Sequence, residues 1–234
     1  ENMRREGFEM AVAKPRVVYK EINGEKCEPY ENLTIDLEDG HQGAIMEEIG
    51  RRRGELVNME SDGMGRTRLE YHIPARGLIG FQSDFMTMTR GTGLMSHVFD
   101  DYAPVKPDMP GRHNGVLISQ ENGEAVAYAL WNLEDRGRMF VSPGDKLYEG
   151  MIIGIHSRDN DLVVNPIKGK KLTNVRASGT DEAVRLTTPI KLTLESAVEF
   201  IDDDELVEIT PQSIRLRKRY LTENERKRMS KVES

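Results

Sequence analysis

The sequence has little of what membrane, secreted or disulfide-stabilised proteins contain. Among its 234 residues there is a single cysteine, Cys27, so no disulfide can form within the chain. It contains no run of about 18 apolar residues that could span a bilayer, and residues 1–9 are too polar and charged for a signal peptide. These absences favour a cytoplasmic protein.

The motifs of common catalytic and metal sites are also missing. There is no G-x-x-x-x-G-K-[ST] loop to hold nucleotide phosphates, and no G-x-S-x-G run to present a nucleophilic serine. The five histidines are scattered singly, and one cysteine cannot form the Cys pair of a zinc site. The sequence therefore predicts no catalytic residue, no metal site and no bound cofactor in this chain.

Acidic residues exceed basic ones, and the two signs are segregated along the chain. The net charge of −7 argues against a nucleic-acid binder. Residues 165–180, however, contain four basic residues and no acidic one, whereas residues 195–208 contain seven acidic residues and no basic one. Residues 212–231 contain eight basic residues and two acidic ones. A single charged run is usually a solvated surface, but two basic blocks close together also suit an RNA backbone.

Hydrophobic periodicity predicts an α+β chain whose first half is ferredoxin-like. Two-residue alternation predicts strands, and apolar residues at helical spacing predict helices. The expected order is strand 30–37, helix 42–52, strands 55–59 and 66–73, helix 78–89 and strand 93–102. This β-α-β-β-α-β order is the ferredoxin-like unit. The second helix is expected to face inward with Leu78, Ile79, Phe81, Phe85 and Met86.

The two ends of the chain differ from this central pattern. Residues 1–7 resemble the last turns of a helix, with Arg4 and Arg5 near its C-terminus and Gly7 after it. No helix-capping residue precedes them, so we expect the chain to be a fragment whose residues 1–26 close an earlier domain. Residues 108–234 contain short apolar runs separated by turns, which predict a mostly β, barrel-like domain with two or more helices.

Specific elements of that last domain can also be predicted. Strands are expected at 115–119, 125–131, 139–141, 151–156, 162–164 and 213–217, and a helix at 192–201. Another helix is expected to start after Thr222, which is spaced from Glu225 as a capping box requires.

In the first half, residues near the starts and ends of the predicted strands and helices resemble domain V of elongation factor G and its relatives. They are Glu28-Pro29, Gln42-Gly43, Arg52-Arg53-Gly54, Ile73-Pro74, Gly80-Phe81 and the run at 89–93. This resemblance implies that residues 27–107 form such a domain V and that residues 1–26 are the C-terminal end of the preceding domain III.

Other runs resemble the BipA (TypA) family of translational GTPases. They are residues 75–81, 85–89, 112–118, 148–156, 169–178 and 200–208. The resemblance implies that residues 108–234 are the C-terminal domain specific to that family. It also implies a ribosome-binding protein involved in large-subunit assembly and in stress and cold adaptation.

The resemblance sets further expectations about cofactors and partners. GTP and Mg²⁺ would bind in a domain that this chain lacks, so the fragment itself is not expected to be an enzyme, whereas its full-length parent is expected to be a ribosome-dependent GTPase. The expected partners are the ribosome, large-subunit rRNA and tRNA, with no DNA and no membrane. The chain is expected to be a cytoplasmic monomer.

The first candidate RNA-binding set lies in the basic, aromatic-free block at 165–180. Lysine ammoniums and small hydroxyl and amide groups suit phosphates and 2′-hydroxyls, which predicts binding that is independent of base sequence and sensitive to salt. From the residues alone, a solvated loop is equally well supported; the family resemblance favours RNA, because the family's loop is thought to approach tRNA. The set is Lys168, Lys170, Lys171, Thr173, Asn174, Arg176 and Ser178.

Two further basic groups have structural alternatives. The cations Arg215, Arg217, Lys218 and Arg219 could bind RNA or neutralise the acidic segment at 195–208, with equal support. Arg51, Arg52 and Arg53 could contact ribosomal RNA or cap their helix. The alternative for the whole chain is a protein–protein interaction module without direct RNA contact, which salt dependence would distinguish.

Overall fold

The computed structural model describes residues 2–107, 109, 111–168 and 185–233. The chain divides into two units, Pro15–Gly111 and a second unit made of Glu1–Lys14 with Arg112–Ser234. In chain order the described helices and strands are α1 (Asn2–Arg5), β1 (Met10–Ala13), β2 (Lys20–Ile22), β3 (Glu25–Glu38), α2 (Gln42–Arg51), β4 (Glu55–Ser61), β5 (Arg66–Pro74), α3 (Phe81–Met88), β6 (Leu94–Pro104), β7 (Val116–Ser119), β8 (Gly123–Glu124), α4 (Ala127–Leu133), β9 (Gly137–Met139), β10 (Lys146–Leu147), β11 (Met151–His156), β12 (Leu162–Val164), α5 (Leu194–Phe200), β13 (Glu205–Ile209), β14 (Ile214–Lys218) and α6 (Glu223–Glu233).

The unit at Pro15–Gly111 is the predicted ferredoxin-like domain. Its sheet has the order β6-β3-β5-β4, all antiparallel, and β2 pairs with the start of β3. The helices α2 and α3 connect β3 to β4 and β5 to β6. The predicted β-α-β-β-α-β order is therefore confirmed.

The core of this unit lies between one sheet face and the two helices. Alternate residues of the central strands β3 and β5 point into it, because successive side chains of a strand lie on opposite faces. The most buried members are Leu33, Ile35, Leu37, Ile45, Ile49, Leu69, Ile73, Phe81 and Phe85. Packing of this face against two helices fixes the strand register, since a shift by one residue would expose the core side chains.

The predicted start and inner face of α3 need correction. The helix begins at Phe81, because Gly80 has a left-handed backbone (φ 74°) and residues 75–78 form a separate 3-10 turn. Phe81 and Phe85 are spaced by four residues and are both buried, whereas Met86 is 44% exposed. The expectation that Met86 points inward was wrong, because one residue along a helix turns the side chain by about 100°.

The second unit contains a seven-stranded sheet. Its path is β1-β13-β14-β11-β7-β12, with β9 also paired to β11, and the two short strands β8 and β10 pair separately. The pair β7–β12 is parallel and the other pairs are antiparallel. Within the described residues the path ends at β1 and β12. Two apolar clusters pack on this sheet, one around Leu130 and Ile153 and one around Val207 and Leu216.

Residues 1–26 are shared between the two units. The strand β1 pairs with β13 of the second unit, whereas β2 pairs with β3 of the ferredoxin-like unit. The change of unit lies between Lys14 and Pro15. The assignment of residues 1–26 to the end of a domain III therefore stays a prediction, since their described contacts join them to both units.

In the second unit one predicted strand is wrong and one observed strand was not predicted. Residues 125–131 were expected to be a strand, but α4 occupies Ala127–Leu133 and buries Ala129 and Leu130. A short apolar run cannot be assigned from periodicity alone, because it fits both repeats. Within the acidic segment, Glu205–Ile209 forms the strand β13, with alternate residues buried.

The last helix confirms its predicted start. The backbone N–H of Glu225 donates to the Thr222 hydroxyl (3.3 Å), and the Thr222 N–H donates to the Glu225 carboxylate (3.1 Å). These reciprocal bonds are the capping box. In the part of the chain that the structure describes, no helix combines the length and apolarity needed to cross a membrane.

Candidate nucleic-acid interface

The first candidate set lies almost entirely outside the described residues. Lys170, Lys171, Thr173, Asn174, Arg176 and Ser178 all do so. Lys168 is described and exposed, and its backbone N–H donates to the side-chain oxygen of Asn165 (3.0 Å), which also accepts from Ile167 (3.1 Å). An asparagine that accepts bonds from residues two and three positions ahead stabilises a local turn. This turn fixes the direction in which the chain leaves β12.

Both described flanks of the basic block are attached to the α4 region. Val126, which precedes α4, donates its backbone N–H to the carbonyl of Pro166 (3.0 Å). The carboxylate of Glu134, which follows α4, accepts from the backbone N–H of Thr187 (2.6 Å). Pro166 therefore contacts the residue before α4, and Thr187 contacts the residue after it. The two described flanks of the basic block lie at opposite ends of this helix.

The helix α4 carries an aromatic pair that the sequence analysis missed. Trp131 is 48% exposed, and its ring centroid lies 6.1 Å from that of Tyr128. Exposed aromatic rings provide stacking surfaces for unpaired bases. The sequence pattern predicts a strand at 125–131, in which positions 128 and 131 face opposite sides, so it does not indicate that the two rings are neighbours. The i, i+3 spacing of the two rings was the available signal.

In the second candidate set, Arg215 and Arg217 face an acidic residue of the neighbouring strand. The Nε of Arg217 lies 3.1 Å from a carboxylate oxygen of Glu208, and that of Arg215 lies 3.8 Å from the other oxygen. Both approaches are ion pairs without hydrogen-bond alignment. The Tyr148 hydroxyl donates to Glu208 (2.6 Å), and burial together with this bond raises the pKa of Tyr148. These contacts favour neutralisation of the acidic segment over RNA contact.

Lys218 has a structural role that corrects its place among the candidates. It is 2% exposed, and its Nζ lies 2.6 Å from Asp161, 2.9 Å from Asp204 and 2.9 Å from Glu205. A buried ammonium surrounded by three carboxylates is not available to a phosphate. Its neighbour Arg219 is exposed, so it is the accessible cation at the end of this strand.

The arginines after α2 divide in a similar way. Arg52 donates to the Glu48 carboxylate (2.6 Å), to the Asp84 carboxylate (2.6 Å) and to the carbonyls of Gly77 (2.9 Å) and Ile79 (3.0 Å). Its guanidinium also lies 5.2 Å from the centre of the Phe81 ring. Arg52 therefore connects α2 to α3 and to the turn before it, and these contacts support a structural role over an RNA contact.

Arg51 and Arg53 are more exposed than Arg52. Arg51 pairs with Glu48 at 2.7 Å. Burial alone would raise the pKa of Glu48, but the hydrogen bonds and charges of Arg51 and Arg52 lower it below its usual range. Arg53 is exposed and has a left-handed backbone (φ 65°) at the end of the helix. Of the three, Arg53 presents the most accessible side chain.

Replacement of Arg52 by Gln is expected to destabilise the ferredoxin-like unit by about 2–3 kcal/mol, because it removes charge-assisted bonds and leaves two carbonyls without their donor. The control Arg53→Gln removes the same charge from an exposed position and should change stability by no more than about 0.5 kcal/mol. Urea denaturation followed by circular dichroism measures both. Equal effects of the two substitutions would contradict a structural role specific to Arg52.

Comparison with known proteins finds two family models and several relatives that are similar to this chain. Residues 25–113 match the family described as "Elongation factor G C-terminus", and residues 114–223 match the "TypA/BipA C-terminal domain". Over 233 residues the chain is 62% identical to the protein named "Large ribosomal subunit assembly factor BipA" of Escherichia coli (strain K12) and 60% identical to that of Haemophilus influenzae. The Buchnera aphidicola protein of the same name is 58% identical over 232 residues. The chain matches the C-terminal part of BipA.

The match to the BipA proteins covers nearly all of this chain but only part of each relative. Each alignment covers 99% of this chain and 38% of the relative, so the chain spans less than half the length of the BipA proteins it matches. The two family matches meet between residues 113 and 114, close to the boundary of the two structural units between Gly111 and Arg112. The predicted boundary between residues 107 and 108 lies four residues before that structural boundary and stays a prediction.

Proposed function

We propose that this chain is the RNA-facing C-terminal part of a ribosome-binding translational GTPase that takes part in assembly of the large subunit. The observation that carries the proposal is the identity of 58–62% across 99% of the chain with proteins named large ribosomal subunit assembly factor BipA. The proposal includes the stress and cold adaptation and the cytoplasmic location expected from the family resemblance. This chain contains no phosphate-binding loop, so GTP and Mg²⁺ would bind to residues outside it.

The proposed RNA contact is centred on the basic block at 165–180 and the exposed face of α4. The block contains four basic residues and no acidic one, which suits phosphates of large-subunit rRNA or tRNA. Trp131 adds a ring on which an unpaired base could stack. Arg219 and Arg53, both exposed, are proposed as secondary contacts.

A protein–protein interaction module is the second candidate function. The edge strand β4 is exposed along its whole length, and it carries the apolar side chains of Leu56, Val57 and Met59. Exposed apolar side chains on a strand edge suit pairing with another protein. Such an interface would lose little affinity as the salt concentration rises.

Replacement of Lys168, Lys170, Lys171 and Arg176 by Ala is expected to weaken binding to purified large ribosomal subunits by roughly 10- to 100-fold at physiological salt. Each phosphate contact contributes about 0.7–0.9 to the slope of log affinity against log salt, so the slope should fall by about 3. The measurement is binding of the labelled chain across a salt series. The Ala substitutions at Arg5, Arg16, Lys20 and Arg90 remove the same charge from exposed positions outside both basic blocks and serve as the control.

A further variant separates stacking from charge. Trp131→Ala should lower the affinity without changing the salt slope, because the indole carries no charge. If both charge variants bind equally, the basic block is not the RNA contact. If binding is tight but nearly independent of salt, the protein-interaction function is favoured instead.

A further inference from the structure

Three potential metal ligands converge on the sheet of the ferredoxin-like unit. The Nε2 of His72 on β5 lies 3.2 Å from an Asp100 carboxylate oxygen and 3.4 Å from an Asp101 carboxylate oxygen on β6. One donor atom from each residue lies within 4.8 Å of the others. Ligands of a tetrahedral ion with bonds of about 2.0–2.1 Å are themselves about 3.3 Å apart, so the two separations from His72 suit one shared cation.

A β-bulge brings the two carboxylates together. Along the β3–β6 pair, Pro29 lies opposite Tyr102 and Glu31 lies opposite Phe99, so Tyr30 alone faces both Asp100 and Asp101. A bulge interrupts the alternation of a strand and redirects a side chain, which is why bulges often border functional sites. Without it, consecutive aspartates would point to opposite faces of the sheet.

The imidazole is held in place and lacks a hydrogen bond at the nitrogen that faces the carboxylates. The ring of His72 stacks on that of Tyr30, with centroids 4.7 Å apart and planes inclined by 20°. Its Nε2 is shielded from solvent and has no hydrogen-bond partner among the described residues, although two carboxylates lie nearby. The carboxylates of Asp100 and Asp101 lie close to Nε2 but are not aligned for a hydrogen bond with it. A cation between the three groups would give this nitrogen a partner.

We propose that His72, Asp100 and Asp101 bind a divalent transition-metal ion of the zinc type. One imidazole and two carboxylates neutralise the ion and favour zinc, cobalt or manganese over magnesium and calcium, which prefer oxygen ligands alone. Three protein ligands leave a fourth position for water or an oxygen of a partner. That position opens to solvent, because the side chains of Asp100 and Asp101 are 42% and 60% exposed.

Titration of the 234-residue chain with Zn²⁺, followed by isothermal calorimetry, tests the site directly. We expect one ion per chain, and binding should be at least about tenfold weaker in His72→Gln and in the double variant Asp100→Asn with Asp101→Asn. Titration with Co²⁺ should give the visible absorption of a four-coordinate ion in the wild type and not in these variants. Circular dichroism of each variant establishes that the sheet is retained.

His97→Gln is the matched control. This second histidine of the same sheet pairs with Glu31 through its Nδ1 and lies outside the three-residue cluster. Its replacement should leave both the stoichiometry and the affinity unchanged. The proposal is overturned if folded wild type binds no metal, or if His97→Gln weakens binding as much as His72→Gln does. In either case His72 forms only ion pairs with the two aspartates.

Discussion

Replacement of Glu205 by Gln is expected to lower the free energy of unfolding of the second unit by about 3–5 kcal/mol, because it removes the buried partner of two cations. Both carboxylate oxygens of Glu205 accept from Arg112 (2.8 and 3.0 Å), and one also lies 2.9 Å from Lys218. The backbone N–H of Asp202 adds a further bond (2.9 Å). Glu205 is fully buried. A neutral amide would leave Arg112 and Lys218 with less counter-charge in a largely buried environment.

Asp203→Asn is the control for this prediction. Asp203 lies two residues away, carries the same charge and is exposed, so its replacement should change stability by no more than about 0.5 kcal/mol. Urea denaturation of the wild type and both variants at neutral pH measures the difference. A loss below about 1 kcal/mol for Glu205→Gln would show that the network is not needed for stability.

The same network makes the second unit sensitive to acid. Burial acts to raise the pKa of Glu205, but the hydrogen bonds and charge of Arg112, with the charge of Lys218, outweigh it and lower the pKa from 4.5 to about 2. Because the folded-state pKa is below the unfolded one, this contribution is fully present above pH 4.5 and is lost as the pH falls towards 2. It amounts to roughly 3 kcal/mol, so the stability difference between wild type and Glu205→Gln should narrow across that window.

Replacement of Phe85 by Ala is expected to destabilise the ferredoxin-like unit by about 3–5 kcal/mol, because it removes a fully buried ring and leaves a cavity. The ring packs against that of Phe81 with centroids 5.9 Å apart, and it is 1% exposed. It also closes the space beside Gly93, where an added Cβ would lie 2.4 Å from the ring. If the ring is removed, the backbone at Gly93 can fill the cavity only if the start of β6 moves.

Met86→Ala is the matched control, since it makes the same replacement one residue along α3. Met86 is on the solvent side of the helix, so the expected change is within about 0.5 kcal/mol. Thermal or urea denaturation of the two variants gives the loss of stability at each position. The larger loss identifies the face of α3 that packs into the core. Similar losses for both would mean that the helix is turned differently from the structure.

Local patterns were sufficient for the ferredoxin-like order and for several termini. Two-residue alternation on β3 and helical spacing on α2 arise from the geometry of each element, and both predictions are confirmed. The Thr222–Glu225 capping box is equally local, because its partners are three residues apart. The strand predicted at 125–131 was wrong, since this short apolar run fits both a strand and a helix. The first RNA-binding set remains a prediction.

By itself, the sequence determined the family resemblance, the ferredoxin-like unit and the segregation of charge. Only the tertiary structure decided which charged residues are accessible. Lys218 and Arg219 are adjacent and both basic, yet the first is buried among carboxylates from distant segments and the second is exposed. In the same way, His72 lies near both Asp100 and Asp101 because β6 has a bulge where it pairs with β3, a strand remote from it in sequence. The environment of a charge depends on long-range partners, and no local pattern encodes them.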